Sequence, residues 1–228
     1  MVVIAHQDRG CPHRARAFRY VHSWYVKQGF RVVHWGGGGR DFTRARAINA
    51  AIRSHTVAPI VVQSDPDSLV PLTRLQQAIE AARRSEGLVV PHNRYLYTSR
   101  EAVARIYDGK PWQHVQVEDC DTVGPDGLGN VVVFSRATWR KAGCFDERFG
   151  LWGGDDAAFA YATTAFCGPV RRLSGDMVHL WHPRLPQSDP SHPAYVEQFA
   201  ILATYRDAAA VGPAAVRRLV WDRRRPTT

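Results

Sequence analysis

Three groups of residues carry types and spacings that could do chemistry. The first is Asp65-Pro66-Asp67, directly after the apolar run Pro59–Gln63. Two carboxylates one residue apart can point to the same side of an extended loop and share a hard divalent cation that also bridges phosphates. The same residues also suit a turn that caps the following helix. The second group is Trp152-Gly153-Gly154-Asp155-Asp156, just before a predicted helix. Its glycines let backbone approach a ligand, and a helix N-terminus favours the ionised acid, so both acids are expected to be charged at neutral pH. Either could serve as a general base, or one could merely cap the helix. The third is His179-Leu180-Trp181-His182, at the end of a predicted strand. A histidine there could join Asp65-Pro66-Asp67 around a metal, or be a hydrogen-bonded structural residue. The tetraglycine Gly36–Gly39 has neither a following Lys-Ser/Thr nor a G-x-G-x-x-G frame, and reads as a flexible strand exit.

The elements that must position these groups alternate in type. Val2–Ala5, Arg31–Trp35, Pro59–Gln63 and Leu88–Val90 read as strands, separated by helices over about Pro12–Gln28, Thr43–Ser54 and Pro71–Ser85. Apolar runs between helices mark parallel strands buried on both faces, the start of a doubly wound α/β sheet. In such a sheet ligands sit beyond the carboxyl ends of the strands, where Asp65-Pro66-Asp67 falls. Further on, a short helix near Arg100–Tyr107 leads into Asp108–Gly129, which has little periodicity. Asn130–Ser135 is another strand, Arg136–Ala142 a helical turn, and Asp155–Phe166 a helix. Strands near Val170–Leu173 and Asp176–Trp181 precede helices at about Ala194–Ala210 and Pro213–Trp221. No linker or internal repeat divides the chain. We expect one domain in three stretches, 1–91, 92–182 and the C-terminal helices of 183–228.

Composition sets the outer limits. With 228 residues, 45% hydrophobic and 22% charged, the chain is neither a disordered segment nor a membrane-embedded one. No apolar run approaches the roughly 20 residues that span a bilayer. The N-terminus lacks the pattern of a secretory signal, and the four cysteines show no CxxC pairing. A cytoplasmic location is the simplest expectation. The net charge of +9 is almost all arginine, which suits phosphate but also follows from a GC-rich source.

Taken in order, the motifs resemble those of GT-A fold glycosyltransferases. Phe42-Thr43-Arg44-Ala45-Arg46-Ala47-Ile48-Asn49, then Ser64-Asp65-Pro66-Asp67, Asn130–Ser135, Trp152–Asp156 and His179 follow the motif order of the β-1,4-galactosyltransferase catalytic domain and of related bacterial family-2 glycosyltransferases. The resemblance covers roughly residues 2–182. It implies an α/β fold with a mostly parallel central sheet flanked by helices. It also implies a metal-dependent transfer of sugar from a nucleotide-diphosphate sugar, UDP-sugar favoured, to a hydroxyl acceptor. Asp67 and His179 would hold Mn²⁺ or Mg²⁺, with Asp65 close to the metal or the ribose, and His182 stands as an alternative to His179. Gln7, Arg9, Phe42 and Arg44 would contact the nucleotide. Asp156 matches the general base, while Trp152, Gly153 and Asp155 would bind the acceptor. Inversion is implied, although a retaining relative, the polypeptide N-acetylgalactosaminyltransferases, shares the metal and histidine layout.

The sequence departs from the family in two places that bear on specificity. Ala5-His6-Gln7-Asp8-Arg9 replaces Pro-Phe-Arg-Asn-Arg after the first strand, and Asp155 stands where the family has Glu. Two other readings use the same residues differently. A nucleotidyltransferase would need a G-x-G-T-R-like loop, which Gln7–Arg14 lacks. A nucleic-acid-binding protein would use the basic stretches Arg9–Arg19, Arg40–Arg53 and Arg217–Arg225, though no recognised motif is present. The acceptor could itself be anionic: a glycan, a protein or a modified nucleic acid. The basic tail Ala214–Arg225 could touch an anionic surface, or be a solvated face.

Overall fold

The computed structural model describes residues 1–36, 42–55, 57–125, 127–150 and 153–224. Among the described residues, ten strands and eight α-helices follow one another. They are β1 (Val2–Ala5), α1 (Pro12–Lys27), β2 (Val32–Trp35), α2 (Arg44–Ser54), β3 (Ile60–Ser64), β4 (Ser68–Leu69) and α3 (Leu72–Arg84), then β5 (Val89–Val90), β6 (Arg94–Thr98), α4 (Arg100–Tyr107) and β7 (Cys120–Pro125). After these come β8 (Val131–Ser135), α5 (Arg136–Lys141), α6 (Asp155–Cys167), β9 (Arg171–Arg172), β10 (Asp176–His179), α7 (Pro193–Val211) and α8 (Pro213–Asp222).

Local chemistry sets several of the boundaries. Thr43 Oγ1 accepts from the Arg46 N–H, Ser99 Oγ from Ala102 and Ser135 Oγ from Thr138, so each hydroxyl satisfies a donor that the first helical turn leaves orphaned. Proline opens α1, α7 and α8, where its missing N–H costs nothing.

The main sheet has the order β2-β1-β3-β8-β5-β9. β1 pairs in parallel with β2 and β3, and β5 with β9, while β8 runs antiparallel to both β3 and β5. The sheet is thus mostly parallel, as expected, with one reversed strand. Side chains alternate between two cores. Val3, Ala5, Val61, Val90, Val132 and Phe134 face α2, α5, α6, α7 and α8. Val2, Ile4, Val62, Val89, Val131 and Val133 face α1, α3, α4 and the second sheet. This period of two, with both sets buried, is why the strands read as unbroken apolar runs.

The second sheet, β4-β10-β6-β7, was not expected from the sequence. It also changes the reading of Asp65-Pro66-Asp67. Those residues do not cap α3, whose N-cap is Pro71 with no side-chain bond. Instead the chain leaves β3 and re-pairs at once through β4, where Ser68 and Leu69 lie opposite His179 and Val178. Two acids are thereby held in the short step between two sheets. No described helix is long and apolar enough to cross a membrane, and the four cysteines are free.

Candidate functional site

The bridge between the sheets creates a metal-capable cluster. Leu180 N–H donates to the Asp67 carbonyl at 2.8 Å, fixing the end of β10 against the acid loop. His182 Nε2 then lies 2.9 Å from Asp67 Oδ2, and His179 Nε2 lies 3.4 Å from Oδ1. One ligand atom from each residue falls within 4.8 Å of the others. His182 Nδ1 lies 3.0 Å from the Pro183 carbonyl, which accepts from the ring N–H and leaves Nε2 as the nitrogen turned to Asp67. Burial pushes His179 down to about 4 against the pull of Asp67. The Asp67 carboxyl is held below its usual range: burial opposes ionisation, but His179, His182 and Arg14 together outweigh it. One carboxylate and two imidazoles form a mixed O/N donor set that fits a divalent ion such as Mn²⁺.

Asp65, expected close to the metal or the ribose, does not join that cluster. Its Oδ1 accepts from Arg44 Nε (3.0 Å), Arg44 Nη2 (2.8 Å) and Gln63 Nε2 (3.2 Å). Pro66 and Asp67 form a turn, closed by the Ser68 N–H on the Asp65 carbonyl at 3.4 Å, and the two acids are turned to separate partners. His182, in contrast, accompanies His179, so both histidines belong to the group that the sequence left as alternatives.

A second cluster centres on Arg44. Its Nη1 donates to Asp156 Oδ1 at 2.8 Å and also to Asp155 Oδ2, while the rest of the guanidinium holds Asp65. One cation therefore serves three carboxylates in a part-buried setting. Burial pushes the Asp156 carboxyl well up; the charges of Asp155 and Asp65 add to this, and Arg44 only partly opposes it. The Asp65 carboxyl is raised for the same reasons. At Asp156 burial and the neighbouring acids therefore work against the helix dipole, which favours the ionised form. Neither acid is the N-cap. That position is Gly154, at φ +90°, where a Cβ would come within 2.7 Å of the Phe149 ring.

Other expected residues fall as follows. Arg44 is buried among acids, a role the nucleotide expectation did not contain. Phe42 packs, partly buried, against the core on the α2 side. Asn49, at the far end of the same motif, is fully buried; it takes hydrogen bonds from Trp139 Nε1 and Phe145 N and gives one to the Phe145 carbonyl. The Phe42–Asn49 motif thus braces the 139–147 segment as well as carrying Arg44. Arg9 Nε donates to Gln7 Oε1 at 3.2 Å beyond β1. Gly153 sits at φ +85°, with the Phe199 ring of α7 over it. Trp152 lies outside the described residues, as do Gly37–Gly39.

Three residues join the two clusters without having been singled out in the sequence. Tyr97 of β6 stacks on His179, with ring centroids 4.4 Å apart, and bonds to Asn130. The Asn130 carbonyl accepts the Asp65 N–H at 2.6 Å. Gly129, beside it, lets Asp156 approach: a Cβ there would lie 2.5 Å from Asp156 Oδ2. The Tyr-x-Tyr alternation of β6 is a weak strand signal, and nothing in it points to a histidine 82 positions away.

No family model and no curated protein matches the chain. Solved structures do. The catalytic domain of Drosophila β1,4-galactosyltransferase 7, in complex with xylobiose, superposes with a TM-score of 0.55 at 14% identity, over 87% of this chain and 78% of that one. The fold is GT-A. A Pyrobaculum calidifontis mannosyltransferase in complex with GDP-Man and Mn²⁺ matches at TM-score 0.51 and 15% identity, over 96% of this chain and 67% of that one. GalNAc-T7 with UDP, GalNAc and Mn²⁺ gives 0.51 at 11% identity, over 91% of this GT-A chain and 48% of its own.

Proposed function

We propose that this GT-A chain is a metal-dependent glycosyltransferase that moves a sugar from a nucleotide-diphosphate sugar to a hydroxyl acceptor with inversion. One observation carries the reading. The Asp67–His179–His182 donor set and the Asp65–Arg44–Asp155–Asp156 cluster lie on one rim of the sheet, joined by the step from Asp65 to Asp67. Neighbours of the same fold with Mn²⁺ and a nucleotide or nucleotide sugar bound support it.

Each residue then has a part. Asp67, His179 and His182 hold the divalent ion, which when bound neutralises charge on the departing diphosphate. Asp156, with its raised affinity for a proton, takes the proton of the acceptor hydroxyl as the oxygen attacks the anomeric carbon. Asp155 and Gly153 orient the acceptor, a task the motif also gives to Trp152. Arg44 balances Asp65, Asp155 and Asp156, and Gln7, Arg9, Phe42 and Asp65 bind the nucleotide. A UDP-sugar is the favoured donor.

The test is direct. The protein with Mn²⁺ is offered single nucleotide sugars and a panel of hydroxyl acceptors, and NMR follows the anomeric proton. Transfer with inverted configuration from one donor, abolished in Asp156→Asn, supports the assignment. Retained configuration, or full activity in that variant, contradicts it.

A further inference from the structure

At the opposite end of β3 from the acids lies an open depression of about 680 Å³. Arg83 and Arg84 of α3 and Arg136 and Arg140 of α5 line it, together with Glu86, Val57 and Pro59. Among the described residues neither Arg136 nor Arg140 has a carboxylate partner. Arg136 spends its guanidinium on the carbonyls of His55 and Ala58. It feels the charge of Arg140 one helical turn away, an arrangement that costs stability unless an anion offsets it. Arg83 and Arg84 share the single acid Glu80, and Glu86 is taken by Lys141.

The same character continues past α5. Gly143 N–H donates to the Arg140 carbonyl, and the last turn of α8 packs on Gly143 through Val220, with Arg223 and Arg224 following it there. That turn carries Trp221, 63% exposed, beside Asp222. At the rim of the depression Val57 is 80% exposed. Arginines interleaved with bare apolar side chains match an interface that is anionic at its surface and greasy just beneath it. A nucleic acid would use the arginines but has no place for an exposed valine.

We propose that this end of the molecule is a peripheral docking face for a membrane rich in acidic phospholipid. The arginines lie on the headgroups, and Val57 and Trp221 enter the headgroup boundary. At about 3.3 Å per residue, β3 then holds the Asp65–Asp67 rim roughly 15 Å farther from the bilayer, facing away from it. The inference does not depend on the transfer reaction.

Sedimentation of the full chain with vesicles tests it, using phosphatidylcholine alone or mixed with phosphatidylglycerol. The chain should bind the mixed vesicles at low salt, release as salt is raised, and ignore the neutral ones. Arg84→Glu with Arg140→Glu, two exposed residues with no backbone bond to lose, should cut binding by roughly 25-fold or more, at about fivefold for each arginine lost. Val57→Asp should weaken it separately. Unchanged thermal unfolding shows that the variants fold. Absence of binding to mixed vesicles overturns the proposal, as does equal binding to neutral ones or binding that survives both substitutions. Tight, salt-sensitive binding to duplex DNA with none to vesicles assigns the face to nucleic acid instead.

Discussion

Arg44 Nη1 lies 2.8 Å from Asp156 Oδ1, joining a residue of α2 to one of α6 that is 112 positions further along the chain. The bond ties the residue we assign as general base to the acid at the mouth of the metal loop, because the same guanidinium also holds Asp65. One cation among three carboxylates makes the arrangement sensitive to any change of charge.

Removing that cation should be costly. Arg44→Met leaves three acids facing one another in a part-buried site. Stability should fall by about 2–3 kcal/mol, the range for lost hydrogen bonds to charged groups. Urea unfolding of the variant and the parent measures this. Equal midpoints would show that the acids are solvated well enough not to need the arginine.

Asp156→Asn should separate stability from activity. The folded carboxyl holds its proton more tightly than the unfolded one, so its contribution to stability is fully present below the unfolded pKa and is lost as pH rises through the folded value. The parent should therefore lose melting temperature over that rise relative to the variant, with Asp65 adding a residual effect of the same sign in both. Transfer should drop by roughly 10²–10⁴-fold, the usual contribution of a general base. Parallel melting curves across the pH range would contradict the raised carboxyl.

Metal binding should distinguish the two acids of the loop. Titration calorimetry with Mn²⁺ should show binding lost in Asp67→Ala and His182→Ala, strongly weakened in His179→Ala, and retained in Asp65→Asn. Loss in the Asp65 variant equal to that in Asp67→Ala would place Asp65 among the ligands after all.

Tyr97 should matter through His179. Tyr97→Leu removes the ring stacked on the ligand and should lower Mn²⁺ affinity about 10–100-fold, as loss of an orienting partner does. Tyr97→Phe keeps the ring and should lose less. Equal effects of both would point to the hydroxyl and its bond to Asn130 as the whole contribution.

How much of this was legible in the sequence depends on whether the signal was local. The strands β1, β3 and β8 are apolar on both faces, so Val2–Ala5 and Asn130–Ser135 announced themselves. Yet such a run reads the same in either direction, and nothing told that β8 is reversed. β4 is two residues long and exists because β10 pairs with it. β7 carries glycine and proline, which speak for a turn, and is held as a strand by its register with β6. At the site, residue types and motif order placed Asp67, His179, Asp155 and Asp156 on one rim. The partnership of Arg44 with the acids, the separation of Asp65 from the metal group and the stacking of Tyr97 are long-range contacts, and no local pattern encodes them.

The central claim is that the rim of the sheet binds a nucleotide sugar through a divalent ion. A thermal-shift panel tests it most directly, with UDP- and GDP-sugars offered with and without Mn²⁺ to the parent and to Asp67→Ala. A ligand at one hundred times its Kd adds about 2.7 kcal/mol, which is readily seen as a rise in melting temperature. The account predicts a Mn²⁺-dependent rise with one class of nucleotide sugar that Asp67→Ala abolishes. No rise with any nucleotide sugar, or one indifferent to both Mn²⁺ and Asp67, would contradict it.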